Sequence, residues 1–148
     1  MEKKNLVYTI DNNYLVPFLV STYSAKLQFG SNLKISIVQP IRAESGMGLS
    51  NMALDLCSSC LQYLEIDFEI VRVNTESYPE DKLPVWARFP KTTWLRYYYI
   101  YNGDFSGKYI HYVEADMLFT KNRPDIFEVE LQGRAVASPV SGDPCRQR

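Results

Sequence analysis

Leu6-Val7-Tyr8-Thr9-Ile10-Asp11-Asn12-Asn13-Tyr14 is the stretch whose reading decides the fold. Its first five residues are an apolar, β-favouring run that stops at a carboxylate. Asp11 or Asn12 can then cap a helix running from about Tyr14 to Phe29, where Gly30 closes it. The same alternation repeats downstream. Leu33-Lys34-Ile35-Ser36-Ile37-Val38 reads as a second strand, with Pro40, Gly46 and Gly48 marking a loop after it. Ser50 can cap a second helix to about Leu64, which sets Leu54, Cys57, Leu61 and Leu64 on one face. Residues 66–73 read as a third strand, in which Ile66, Phe68 and Ile70 alternate with Asp67 and Glu69. Pro79, Pro84 and Pro90 make residues 74–91 a long loop. Thr92 or Thr93 opens a third helix through Tyr97-Tyr98-Tyr99, and Asn102-Gly103-Asp104 is a turn. Residues 109–113 form a fourth strand, residues 125–130 a short helical turn, and residues 135–137 begin a fifth strand. The order β-α-β-α-β-loop-α-β predicts an α/β fold with a mainly parallel sheet and helices on both faces. A length of 148 residues, 46% of them apolar, suits one domain with its own core.

The fourth strand runs into Tyr112-Val113-Glu114-Ala115-Asp116-Met117. An acid-x-acid pair at a strand end can bring two hard oxygen ligands to one cation. That cation can hold a diphosphate and neutralise the charge that appears as it leaves. In parallel α/β sheets, ligands bind beyond the carboxyl ends of the strands. Asp11, Glu114 and Asp116 all fall on that edge.

Other features narrow the class. Net charge is −1, with acids and bases interspersed, so no basic stripe points to nucleic acid. No run approaches the roughly 18 apolar residues of a membrane span. Met1-Glu2-Lys3-Lys4 leads straight into a strand-like run without the features of a signal peptide, which predicts a soluble, cytoplasmic protein. Cys57, Cys60 and Cys145 are odd in number, which argues against a disulfide scaffold. Cys57 and Cys60 lie inside a helix, away from a strand-to-helix junction, so they read as packing residues rather than a redox or zinc pair. His111, in a strand, reads as a core or edge residue.

Three segments together resemble the glycosyltransferases of family 8, which include glycogenin and bacterial lipopolysaccharide galactosyltransferases. They are Val7 to Tyr14, Thr92-Thr93-Trp94-Leu95-Arg96-Tyr97, and the strand ending in Glu114-Ala115-Asp116-Met117-Leu118. Pro124-Asp125-Ile126-Phe127 adds a turn similar to the family's. The resemblance spans residues 5 to about 140. It implies a GT-A fold, a nucleotide-binding α/β/α sandwich. It further implies that Asp11 and nearby polar groups such as Asn12 hold uridine, and that Tyr14 stacks on the base. Arg96 would lie near the donor sugar and diphosphate, and Glu114 and Asp116 would hold Mn²⁺ or Mg²⁺. Ser21 and Ser24 fall where the family's first helix carries a serine. The activity implied is retaining transfer of a hexose from a nucleotide diphosphate sugar, UDP-linked, to a hydroxyl of a carbohydrate or other acceptor. No residue stands out as nucleophile or general base.

The chain departs from the family at three points. Glu114 replaces the usual first Asp, and Ala137-Ser138-Pro139 stands where an Asp often ends the next strand. The family also continues past the position of Arg148, supplying a histidine metal ligand and a Gly/Lys motif. A donor half truncated at its C-terminus is therefore expected, as a fragment or a truncated paralogue, with a minimal member as the alternative.

Each residue also has a plainer reading. Asp11 can be only a cap, Tyr14 core, Arg96 the partner of a surface acid, and Glu114 with Asp116 a solvated turn. Trp94 and Tyr97-Tyr98-Tyr99 suit core and helix-surface packing, and Arg88 in the long loop could reach a phosphate. Two rival functions remain at this level. A nucleotidyltransferase would show a glycine-rich loop after the first strand, and Asp11-Asn12-Asn13-Tyr14 has no glycine. A non-catalytic remnant would bind nucleotide or a protein partner.

Overall fold

The computed structural model describes residues 4–42, 47–76, 91–102, 110–121, 127–128, 130 and 132. Within them the chain runs β1 (Lys4–Thr9), α1 (Leu15–Phe29), β2 (Leu33–Pro40), α2 (Asn51–Tyr63), β3 (Asp67–Val73), α3 (Leu95–Asn102) and β4 (His111–Tyr112). Single 3₁₀ turns at Asn12–Tyr14, Gly30–Asn32 and Lys91–Trp94 join them. The four strands form one parallel sheet in the order β3-β2-β1-β4. This is an α/β fold, and its parallel sheet with helices is compatible with a Rossmann-like arrangement.

Period-2 alternation divides the side chains between two faces. Leu6, Tyr8, Ile35, Ile37, Phe68 and Ile70 pack with α1 and α2 in one core. Val7, Val38, Val71 and Val73 pack with Leu95 and Tyr98 of α3 in the other. Helices therefore cover both faces, as the element order predicts. Phe18 of α1 is fully buried and meets the Tyr8 ring edge-on at 5.0 Å. The Tyr8 hydroxyl finds the buried Ser21 hydroxyl at 3.1 Å, so neither polar group is stranded in the core.

The element ends follow local chemistry. Asp11 Oδ1 accepts the Asn13 N–H at 2.9 Å, capping the 3₁₀ turn that leads into α1, which begins at Leu15, one residue from the expected start at about Tyr14. Pro17 sits in the first turn of α1, where a missing N–H costs nothing. Gly30 ends α1 with φ of 62°. Ser50 caps α2, its hydroxyl accepting the Ala53 N–H at 3.3 Å.

Strand four is shorter than residues 109–113 would give. Only His111–Tyr112 are strand, and the Val113 N–H still reaches the Val7 carbonyl at 2.9 Å. The chain then leaves the sheet in a turn closed by Met117 N–H to Glu114 C=O at 3.2 Å. Tyr109, the long loop over 77–90 with Arg88, the Gly103-Asp104 turn, residues 122–126 and the strand expected at 135–137 lie outside the described residues. His111 is half-buried on β4, the outermost of the described strands, with its ring 4.7 Å from that of Phe127. No helix among the described residues is long and apolar enough to cross a membrane.

Cys57 is fully buried on α2, and Cys60 is only half-buried. Burial, and secondarily the neighbouring Cys60, push the Cys57 thiol up to about 12, far from the thiolate needed for reactivity. Native protein treated with a thiol reagent at neutral pH should label Cys57 only on the timescale of unfolding. Labelling of Cys57 as fast as in urea, or stoichiometric zinc uptake by the pair, would overturn the packing role.

Candidate functional site

The strand order sets where a ligand can enter. Successive strands β1, β2 and β3 step across the sheet in one direction, and β4 returns to the opposite side of β1. The connections leaving β1 and β4 therefore diverge, and a crevice opens beyond their carboxyl ends. An open cleft of about 380 Å³ lies there. Asp11 and Tyr14 line it from the end of β1, Arg96 from α3, and Glu114 and Asp116 from the turn after β4. Five of the six residues singled out from sequence thus share one cleft.

Asn12 is the exception, since it is not among the residues that line the cleft. Its Oδ1 accepts the Ser50 N–H at 2.9 Å and so ties the turn after β1 to the start of α2. Asp11 is buried, its carboxylate caps the 3₁₀ turn, and the residue also lines the cleft. Tyr14 is 42% exposed, so it is a cleft-lining ring and not a core residue.

The acid pair owes its presentation to the residue between its members. Ala115 is buried against the α1/α2 core, while Glu114 and Asp116 on either side are exposed. Glu114 is partnered on both oxygens. Oε1 receives the Arg96 Nη1 at 3.1 Å, and Oε2 receives the Tyr112 hydroxyl at 3.2 Å. Tyr112 also meets Thr9 Oγ1 at 3.0 Å, which links β1 to β4 at the cleft floor. The Tyr112 phenol is pushed above its ordinary value, chiefly by burial.

Arg96 is anchored as firmly. Its Nε donates to the Thr93 carbonyl at 3.0 Å, and its guanidinium lies 4.8 Å from the Tyr112 ring centre and 5.8 Å from that of Tyr97. Tyr98 is core, and Tyr97 is a half-exposed helix-surface ring beside Trp94, in line with the plainer reading of those aromatics.

Sequence reasoning passed over Thr9, Thr92, Thr93 and Tyr112 as cleft residues. Tyr112 had a usable signal, because it lies two residues before Glu114 and strand periodicity puts both on one side. Thr92 had none. It is buried, and its Oγ1 accepts the Gly48 N–H at 3.1 Å from a loop 44 residues earlier. Ser24 also acts at long range, its hydroxyl accepting the Phe119 N–H at 3.0 Å and so pinning the segment after the acid pair onto α1.

Compared with protein-family models and with curated proteins, the chain matches none.

Proposed function

We propose that the cleft binds a nucleotide diphosphate sugar together with a divalent cation, in the manner of a GT-A glycosyltransferase of family 8. The donor hexose, UDP-linked on the resemblance, would pass to a hydroxyl acceptor with retention. The observation that supports this best is convergence: Asp11, Tyr14, Arg96, Glu114 and Asp116 come from three separate segments and line one cleft at the switch point of a parallel sheet.

Among the described residues no three carboxylate, histidine or cysteine side chains come together as a metal cluster, so a cation here would rest on the acid pair and on the diphosphate's own oxygens. Glu114 and Asp116 offer carboxylate oxygens on an exposed turn, and buried Asp11 lines the same cleft. Mn²⁺ or Mg²⁺ held there would supply Lewis-acid neutralisation of the leaving diphosphate. Tyr14 offers an exposed aromatic face for a base, and Arg96 a planar fork for phosphate oxygens. Tyr112, fixed between Thr9 and Glu114, keeps the cleft floor in register.

Calorimetry with UDP tests the reading. Binding should be at least about tenfold tighter with Mn²⁺ than with EDTA, a difference of about 1.4 kcal/mol. Asp116→Ala should erase that difference. Equal affinity in both buffers would sink the metal–diphosphate reading and leave at most a metal-free nucleotide site.

A further inference from the structure

Glu114 and Asp116 are not equivalent as ligands. Asp116 stands exposed on the turn, whereas both oxygens of Glu114 are engaged, one by Arg96 and one by Tyr112. A cation approaching Glu114 must compete with a guanidinium for the same negative charge, and like charges at such short range repel. Arg96 is well placed to compete. Its side chain is 27% exposed and that of Glu114 54%, so water screens the pair in part. Its Nε is held by the Thr93 carbonyl, which leaves the Nη end to face Glu114.

We infer that Arg96 is an internal counter-ion for the acid pair, holding Glu114 until an anionic ligand draws the guanidinium away. The inference rests on the metal–diphosphate reading above. Its consequence is that the cleft resists a divalent cation alone and accepts cation and diphosphate together. A diphosphate offers the Arg96 fork paired oxygens that match it better than one carboxylate oxygen does. As Arg96 turns to phosphate, Glu114 is released to the cation. Linkage then requires each ligand to tighten the other to the same degree.

The probe is Mn²⁺ itself, followed by its effect on water-proton relaxation, with and without UDP. The proteins are wild type, Arg96→Gln and Arg96→Lys, each checked for folding by circular dichroism. Arg96→Gln should bind Mn²⁺ alone about three- to tenfold more tightly than wild type, the scale of one partly screened ion pair. UDP should then tighten Mn²⁺ binding less in the variant than in wild type. Arg96→Lys keeps the charge but lacks the fork that reaches Thr93 and Glu114 together, so it should fall between the two.

If wild type binds Mn²⁺ with UDP but Arg96→Gln binds Mn²⁺ alone no better than wild type, the counter-ion role is wrong and the metal–diphosphate reading stands. If Arg96→Lys equals wild type, only diffuse charge is at work, and the specific pair is again refuted. That arm suffices by itself should Arg96→Gln fail to fold. If no protein takes up Mn²⁺ with or without UDP, both readings fall.

Discussion

Phe18→Ala is expected to lower the unfolding free energy by about 3–5 kcal/mol, the usual range for removing a fully buried aromatic ring. Phe18 has no exposed surface and stacks edge-to-face on Tyr8, which is itself fully buried on β1. Truncation would leave a cavity between α1 and the central sheet, where helix and strand cannot both close in. Tyr23→Ala on the same helix is the control. That ring is 47% exposed, so its loss should change stability by no more than about 0.5 kcal/mol. Urea titrations of both variants decide the matter. Similar losses for the two would mean that α1 does not dock through Phe18.

Gly48→Ala should cost about 3 kcal/mol, and through a different mechanism. Gly48 has φ of +77°, where a side chain is strained by about 1–3 kcal/mol. An added Cβ would also fall 2.6 Å from Gln39 Oε1 and 2.8 Å from Pro40 Cδ. Gln39 is buried and holds the loop, its Oε1 accepting the Leu49 N–H at 2.7 Å and its Nε2 donating to the Val38 carbonyl at 2.9 Å. Displacing it leaves buried polar groups unpaired, at about 1–3 kcal/mol. Gly30→Ala separates strain from crowding, because Gly30 has φ of +62° with nothing within 4 Å of an added Cβ. It should cost the backbone strain alone, about 1–3 kcal/mol, because φ of 62° with ψ of −140° is a conformation that suits glycine. Gly48→Ala losing no more stability than Gly30→Ala would show that the Gln39 contact is unimportant. Since the Gly48 N–H also donates to Thr92 Oγ1 at the cleft, Gly48→Ala should weaken UDP binding as well, by calorimetry on the folded fraction.

The local features were legible because they are local. Asp11 as a cap, Gly30 as a stop and Ser50 as the start of α2 each act within one turn of chain, and all three stand where the sequence puts them. Alternation along residues 66–73 put Ile66, Phe68 and Ile70 on one face of the sheet in advance, since side-chain period in a strand is fixed by backbone geometry. The order of elements implied parallel pairing, which in turn implied a ligand edge at the carboxyl ends.

What the amino-acid sequence determined by itself was therefore the element order, the parallel α/β class and the edge on which Asp11, Glu114 and Asp116 lie. Only the tertiary structure decided who meets whom. It joined Arg96 to Glu114 across 18 residues, Thr9 to Tyr112 across 103, and Thr92 to Gly48 across 44. It also tied Asn12 to the start of α2 through the Ser50 N–H. Periodicity and capping depend on bonds within a few residues, so a linear reading captures them. Such partnerships depend on the strand order β3-β2-β1-β4 and on the helix faces that order brings over each strand, and no local pattern records either.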